Sequence, residues 1–136
     1  MYKEYIDEFL LKDYFNLKKD NGILTPIEGL TIGNLFYDLY SPYKNYQPRE
    51  LKSDSQKGCL LLRIQSLCLA VNDLNLYLDI YPEDQEAFQL FKSYISELEN
   101  LTKTYSENYD VLDLCHDVGQ NFTWYKKPWP WEVKDV

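Results

Sequence analysis

Residues 60–105 read LLLRIQSLCLAVNDLNLYLDIYPEDQEAFQLFKSYISELENLTKTY. Leu60, Ile64, Leu67, Val71, Leu74, Leu78 and Tyr81 are separated by alternating steps of four and three. That spacing keeps every one of them on one side of an α-helix and predicts a continuous apolar seam over Lys57–Tyr81. Such a helix is about 37 Å long at 1.5 Å per residue. Ser53 and Asp54 offer starting caps, and Gly58 weakens the first turn. Pro82 pushes Tyr81 out of helical geometry and suits the first position of a second helix. Glu83, Asp84 and Glu86 would then lie against the positive end of that helix dipole. The second seam is Ala87, Leu90, Phe91, Tyr94, Leu98, Leu101 and Tyr105. A connection this short leaves one arrangement, two long antiparallel helices packed seam to seam.

The first helix has more apolar surface than one partner needs. Leu62, Leu69 and Leu76 make a second stripe at seven-residue spacing, off the main seam. An N-terminal helix, the Trp-rich arm or another protein has to cover it.

Upstream, residues 2–19 place Tyr2, Ile6, Phe9, Leu10, Tyr14 and Leu17 at helical spacing, and Asn21-Gly22 supplies a stop. The stretch that follows allows one short helix near Asn34 to Tyr40, limited by Pro42 and Pro48. Downstream, Asn108–Val136 is irregular. It allows a helical turn around Val111 to Val118 and then an extended arm, in which Pro128 and Pro130 each remove a backbone donor. The expected organisation is therefore residues 1–51 as an N-terminal helix and segment, 52–109 as the helical hairpin, and 110–136 as a Trp/Pro-rich arm. The fold class is all-α, a long antiparallel hairpin with an N-terminal helix and aromatic-rich irregular arms.

Composition narrows the function. Among 136 residues there are 13 Tyr, 6 Phe and 3 Trp, an aromatic share suited to surfaces that are covered on contact. The formal net charge is −8 with no basic stripe, which argues against nucleic acid and against an anionic membrane surface. No apolar run approaches the roughly 20 residues that span a bilayer. The opening MYKEYIDEFLLKDYFNLKKDNG interrupts its apolar residues with charges, unlike a signal peptide, so the expected place is inside the cell. Cys59, Cys68 and Cys115 are odd in number and form no CxxC, so the expectation is small buried thiols without a disulfide framework or zinc site.

The hairpin and arm together resemble a known family. LLLRIQSLCLAVNDLNLYLDIYPEDQEAFQLFKSY, followed after a spacer by WYKKPWPWE, is similar to the spore coat protein family CotJB. DLNLYLD, PEDQEA and the late PWPWE carry the likeness in that order, over about Gly58 to Glu132. The preceding GNLFYDLYSPYKNYQPREL, within about residues 29–51, resembles part of the companion coat protein CotJA, as if two neighbouring products were fused. YDVLDLCHDVGQ departs from the family's glycine-proline turn, and the N-terminal helix lies outside both likenesses. The resemblance implies a non-enzymatic coat component without cofactor. It would be made in the mother-cell cytoplasm, deposited in the inner spore coat and assembled with CotJC, a ferritin-like protein resembling manganese catalases. Other coat proteins and self-association are further expected contacts.

Tested for chemistry, the sequence offers little. DLCHD brings Asp113, Cys115, His116 and Asp117 together, which suggests a thiol or metal activity, but adjacent residues rarely aim at a common atom. A solvated acidic loop with one buried cysteine is the plainer expectation. No Glu-x-x-His pair of a carboxylate-bridged dimetal bundle is present, so the chain is not itself a catalase of that type. Asp73 and Asp79 flank the first seam, where a solvated face or a polar contact to a partner is expected. GLTIGNLF lacks the lysine of a phosphate loop. No catalytic or metal residue is assigned.

Partner binding is assigned to Trp124, Trp129, Trp131, Leu62, Leu69 and Leu76. Each indole can bury roughly 150–250 Å², and at about 25 cal/mol per Å² that contributes several kcal/mol before entropy. Trp129 and Trp131 would face one way in an extended strand and diverge in a polyproline helix. The arm therefore either lies as a lid on Leu62, Leu69 and Leu76 or anchors in a neighbouring protein. Tyr40, Tyr43 and Tyr46 suit an interface or oxidative coupling in a hardened coat layer. A CotJ-like adaptor serving outside spores is the remaining alternative.

Overall fold

The structure, a computed structural model, describes residues 22–37, 48–49, 51–113, 115, 120–122, 124–126, 129 and 132. The helix expected over residues 2–19, and Tyr40, Tyr43, Tyr46, His116, Asp117 and Trp131, lie outside them. The fold is all-α, with helices α1 (Pro26–Ile32), α2 (Gln56–Ile80) and α3 (Gln85–Asn108) and, among the described residues, no strand beyond one isolated bridge.

α2 and α3 form the expected hairpin. Polar contacts across it fix the antiparallel sense: Lys57 pairs with Asp110, Arg63 with Glu97 and Tyr77 with Asp84, so partners rise on one side as they fall on the other. Both Nε and Nη2 of Arg63 reach Oε1 of Glu97, at 2.8 and 2.7 Å, which sets the register near mid-length. The seams meet as two clusters. Ala70, Leu74 and Ala87 are buried with Leu90, Phe91 and Tyr94 against them. Leu60, Ile64 and Tyr105 are buried with Leu98 and Leu101, and Leu112 folds in from beyond α3.

The turn departs from expectation. Pro82 does not open α3; it sits in a turn closed by the Asp84 amide donating to the Tyr81 carbonyl, 3.2 Å. Asp84 is the N-cap, its carboxylate accepting from the Ala87 amide at 3.0 Å. A side chain that satisfies a helical donor outcompetes a proline that merely lacks one. Tyr81, expected in the seam, is the C-cap of α2 and 55% exposed, its ring leaning on Tyr77. At the other end Ser55, rather than Ser53 or Asp54, caps α2 by accepting from Gly58.

The upstream element also differs. Asn34–Tyr37 is not helical; the helix lies earlier, at α1. The Glu28 carboxylate accepts from both the amide and hydroxyl of Thr25, a reciprocal cap, and Gly33 ends the helix at φ 90°, which favours glycine. Chain on either side is then drawn together: Leu24 donates to Leu35, Tyr37 donates to Gly22, and Ile23 faces Phe36 in an antiparallel bridge. The result is a compact loop that presents Leu35, fully buried, to Ala70 and Leu74.

α2 corrects one further expectation. With 25 residues it is, by length and composition, apolar enough to cross a membrane. Apolar residues around most of a helix require several covered sides or lipid. Here α3 covers one side and the α1 loop an adjoining one.

Candidate functional site

The stripe Leu62, Leu69, Leu76 follows α2 beside the face that the α1 loop occupies. Leu62 and Leu69 are half-buried, whereas Leu76 is 56% exposed. One turn on, Ile80 is 71% exposed and extends the same face, a residue the heptad reading had passed over. A lid over the whole stripe is therefore not what the described residues form, because Leu76 stays open.

Around the hairpin tip the open apolar face meets carboxylates. Asp79, Glu83 and Glu86 are exposed, and among the described residues none of them forms an ion pair. Asp84 is committed elsewhere: the Ala87 amide, then the Tyr77 hydroxyl at 2.9 Å, hold its carboxyl below the ordinary aspartate value. The same bond raises the Tyr77 phenol. Phe88, also exposed, has the Lys92 ammonium 4.7 Å above its ring. A shallow open groove lined by Gln85, Glu86, Gln89, Leu90 and Ser93 adjoins it.

The arm pairs its aromatic rings. Trp124 and Trp129 are half-buried with centroids 6.3 Å apart and planes tilted by 38°. Trp129 and Glu132 do not follow the extended path expected there: the Glu132 amide donates to the Trp129 carbonyl at 2.8 Å, and the Trp129 amide donates to the Glu132 carboxylate at 3.1 Å. Phe122 and Tyr125 stack at 6.2 Å and are 61% and 65% exposed, with exposed Lys126 beside them.

The thiols are not buried as expected. Cys59 is half-buried and donates to the Ser53 carbonyl, while Cys68 and Cys115 are exposed. Cys68 lies on the uncovered side of α2; Cys115 follows a tight turn in which its amide donates to the Asp113 carboxylate. Neighbouring bulk pushes the Cys68 thiol up, away from reactivity. Among the described residues no three His, Cys, Asp or Glu side chains converge as metal ligands. Asp73, expected on a solvated or partner-facing side, instead accepts from the Leu35 amide.

Compared with known proteins, a family model described as CotJB protein matches residues 58–132, which takes in nearly all of α2, the whole of α3 and the arm as far as Glu132. The match does not reach residues 29–51 and lends no support to the CotJA likeness there. No curated protein and no solved structure matches the chain.

Proposed function

The chain belongs to the CotJB family of spore coat proteins, and on that premise we propose that it is an assembly component of the coat that docks a ferritin-like protein of the manganese-catalase type. The observation that carries this reading is apolar surface left open on rigid helices. Leu76, Ile80 and Tyr81 are each more than half exposed at the tip, as are Phe122 and Tyr125 in the arm. Neighbouring proteins of the coat layer, further copies of this chain among them, supply the missing cover; groups arranged for catalysis are not needed. Trp124, Trp129 and Trp131, with Leu62, Leu69 and Leu76, are the residues assigned to that docking. On the same reading residues 29–51 are a CotJA-like segment fused to the hairpin, and within them Leu35 packs on α2. Inner-coat deposition after synthesis in the mother cell belongs to the same reading.

A fluorescent fusion expressed in a sporulating host tests the role. A ring of signal around the forespore, removed with the coat by decoating, is expected. Signal that stays diffuse in the mother cell contradicts the proposal.

A further inference from the structure

Leu76, Asp79 and Ile80 share a face of α2, and Glu83 follows in the turn. Leucine and isoleucine there are exposed, and the two carboxylates beside them are unneutralised among the described residues. An occupant that covers the alkyl groups must therefore bring cationic charge to the rim. The same chain carries such a group. Phe122 and Tyr125 stack as one exposed aromatic slab, and Lys126, also exposed and without an ion pair among the described residues, projects from the next position. Aromatic bulk with an adjoining ammonium matches aliphatic bulk with adjoining carboxylates in both shape class and charge.

Both halves are open in one molecule, so they do not satisfy each other within it. The arm leaves the hairpin at the end opposite the tip, where Leu112 packs on Leu60, Ile64 and Tyr105. About 36 Å of helix separates that end from Ile80, at 1.5 Å per residue.

We propose that the Phe122–Tyr125–Lys126 slab of one copy docks on the Leu76–Asp79–Ile80–Glu83 face of a second copy. The contact joins two different surfaces, so one contact leaves a tip and an arm unused, and further copies can add to them. One such contact is small and weak in solution. Repeated through a layer, many of them act together. The use of this contact rests on the coat-assembly reading above; the contact itself is tested in solution without it.

Sedimentation velocity of the full chain, from about 10 μM to about 1 mM, is the test. The wild-type chain is expected to grow into a ladder of species with concentration. High salt shortens the ladder, because at 1 M the screening length falls to about 3 Å. Asp79→Lys with Glu83→Lys, and separately Phe122→Ala with Lys126→Ala, are each expected to weaken association at least tenfold. Mixed one to one, the two variants retain one intact contact between them and should stop at dimers. Ile80→Ser reads the apolar half of the contact independently of charge. Circular dichroism should show unchanged helix in all of them. A wild-type chain single at every concentration overturns the proposal. So does association that either charge variant leaves intact, or a mixture that forms no dimer. A chain that stays single yet still reaches the coat overturns this contact alone and leaves the coat role standing.

Discussion

The backbone amide of Leu35 donates to the carboxylate of Asp73 across 2.9 Å and 38 residues of sequence. Leu35 is fully buried, so its amide has no access to water and Asp73 is its acceptor. This bond fastens the α1 loop to α2 at the point where Leu35 enters between Ala70 and Leu74.

Asp73→Ala should therefore lower stability by about 1–3 kcal/mol, the cost of leaving a buried donor unmet. Asp73→Asn, which keeps an acceptor oxygen, should cost less. Urea unfolding measures both, and hydrogen exchange at the Leu35 amide should accelerate in the alanine variant.

Burial separates two leucines of α2 that the sequence makes look alike. Leu74 is fully buried and Leu76 is 56% exposed. Leu74→Ala should cost about 2–5 kcal/mol, and Leu76→Ala should stay within about 0.5 kcal/mol. Equal losses in thermal unfolding would mean that Leu76 is covered in the isolated chain.

Gly58 is a packing requirement. A Cβ there would collide with the Ser53 side chain and stand 3.0 Å from the Ser55 hydroxyl that caps the helix. Glycine to alanine within a helix ordinarily gains roughly 0.5–1 kcal/mol. Gly58→Ala should instead destabilise, and Ser53→Gly in the same chain should recover part of the loss. Chemical denaturation of the two single variants and the double variant forms the cycle that checks it.

The pH dependence at the tip has a definite sign. The folded Asp84 carboxyl lies below its ordinary value because the Ala87 amide, then Tyr77, favour its charged form. Its contribution is present in full above the ordinary aspartate value near 3.8 and is lost as pH falls through the lower folded value. Lys57 is the opposite case. Asp110 raises it, so its contribution is present below the ordinary lysine value near 10.5 and is lost as pH rises through the higher folded value. NMR titration of Asp84 should give a midpoint below 3.8. Asp84→Asn, itself a good cap, should retain α3 and flatten the acid limb of stability against pH.

The hairpin was legible because a four-three leucine rhythm has few other structural meanings, and because Pro82 marks its turn. The helix start at Asp84 is legible too, since a carboxylate three residues before Ala87 is a cap, but Pro82 two positions earlier offers a competing start. The α1 helix is marked in the sequence by Thr25-Pro-Ile-Glu28, a capping box that stands just ahead of GLTIGNLF. The role of Asp73 was not legible, since its partner is a backbone amide far away in sequence, and no side-chain pattern encodes that. Leu62, Leu69 and Leu76 were rightly seen as surplus to the seam. Only the α1 loop's placement showed which end of their face remains open. The Trp124–Trp129 pairing was not legible, since Pro128 and Pro130 suggest an extended arm and no spacing pattern encodes a ring contact within it.

Co-expression with a manganese-catalase-type coat protein, followed by size exclusion with light scattering, tests the proposed assembly role most directly. The two proteins should elute as one species of fixed stoichiometry, and deletion of residues 124–136 should separate them while leaving the hairpin's thermal unfolding unchanged. Separate elution of two intact, folded proteins at concentrations of about 100 μM, where a partner bound at 1 μM would be nearly saturated, would contradict the account.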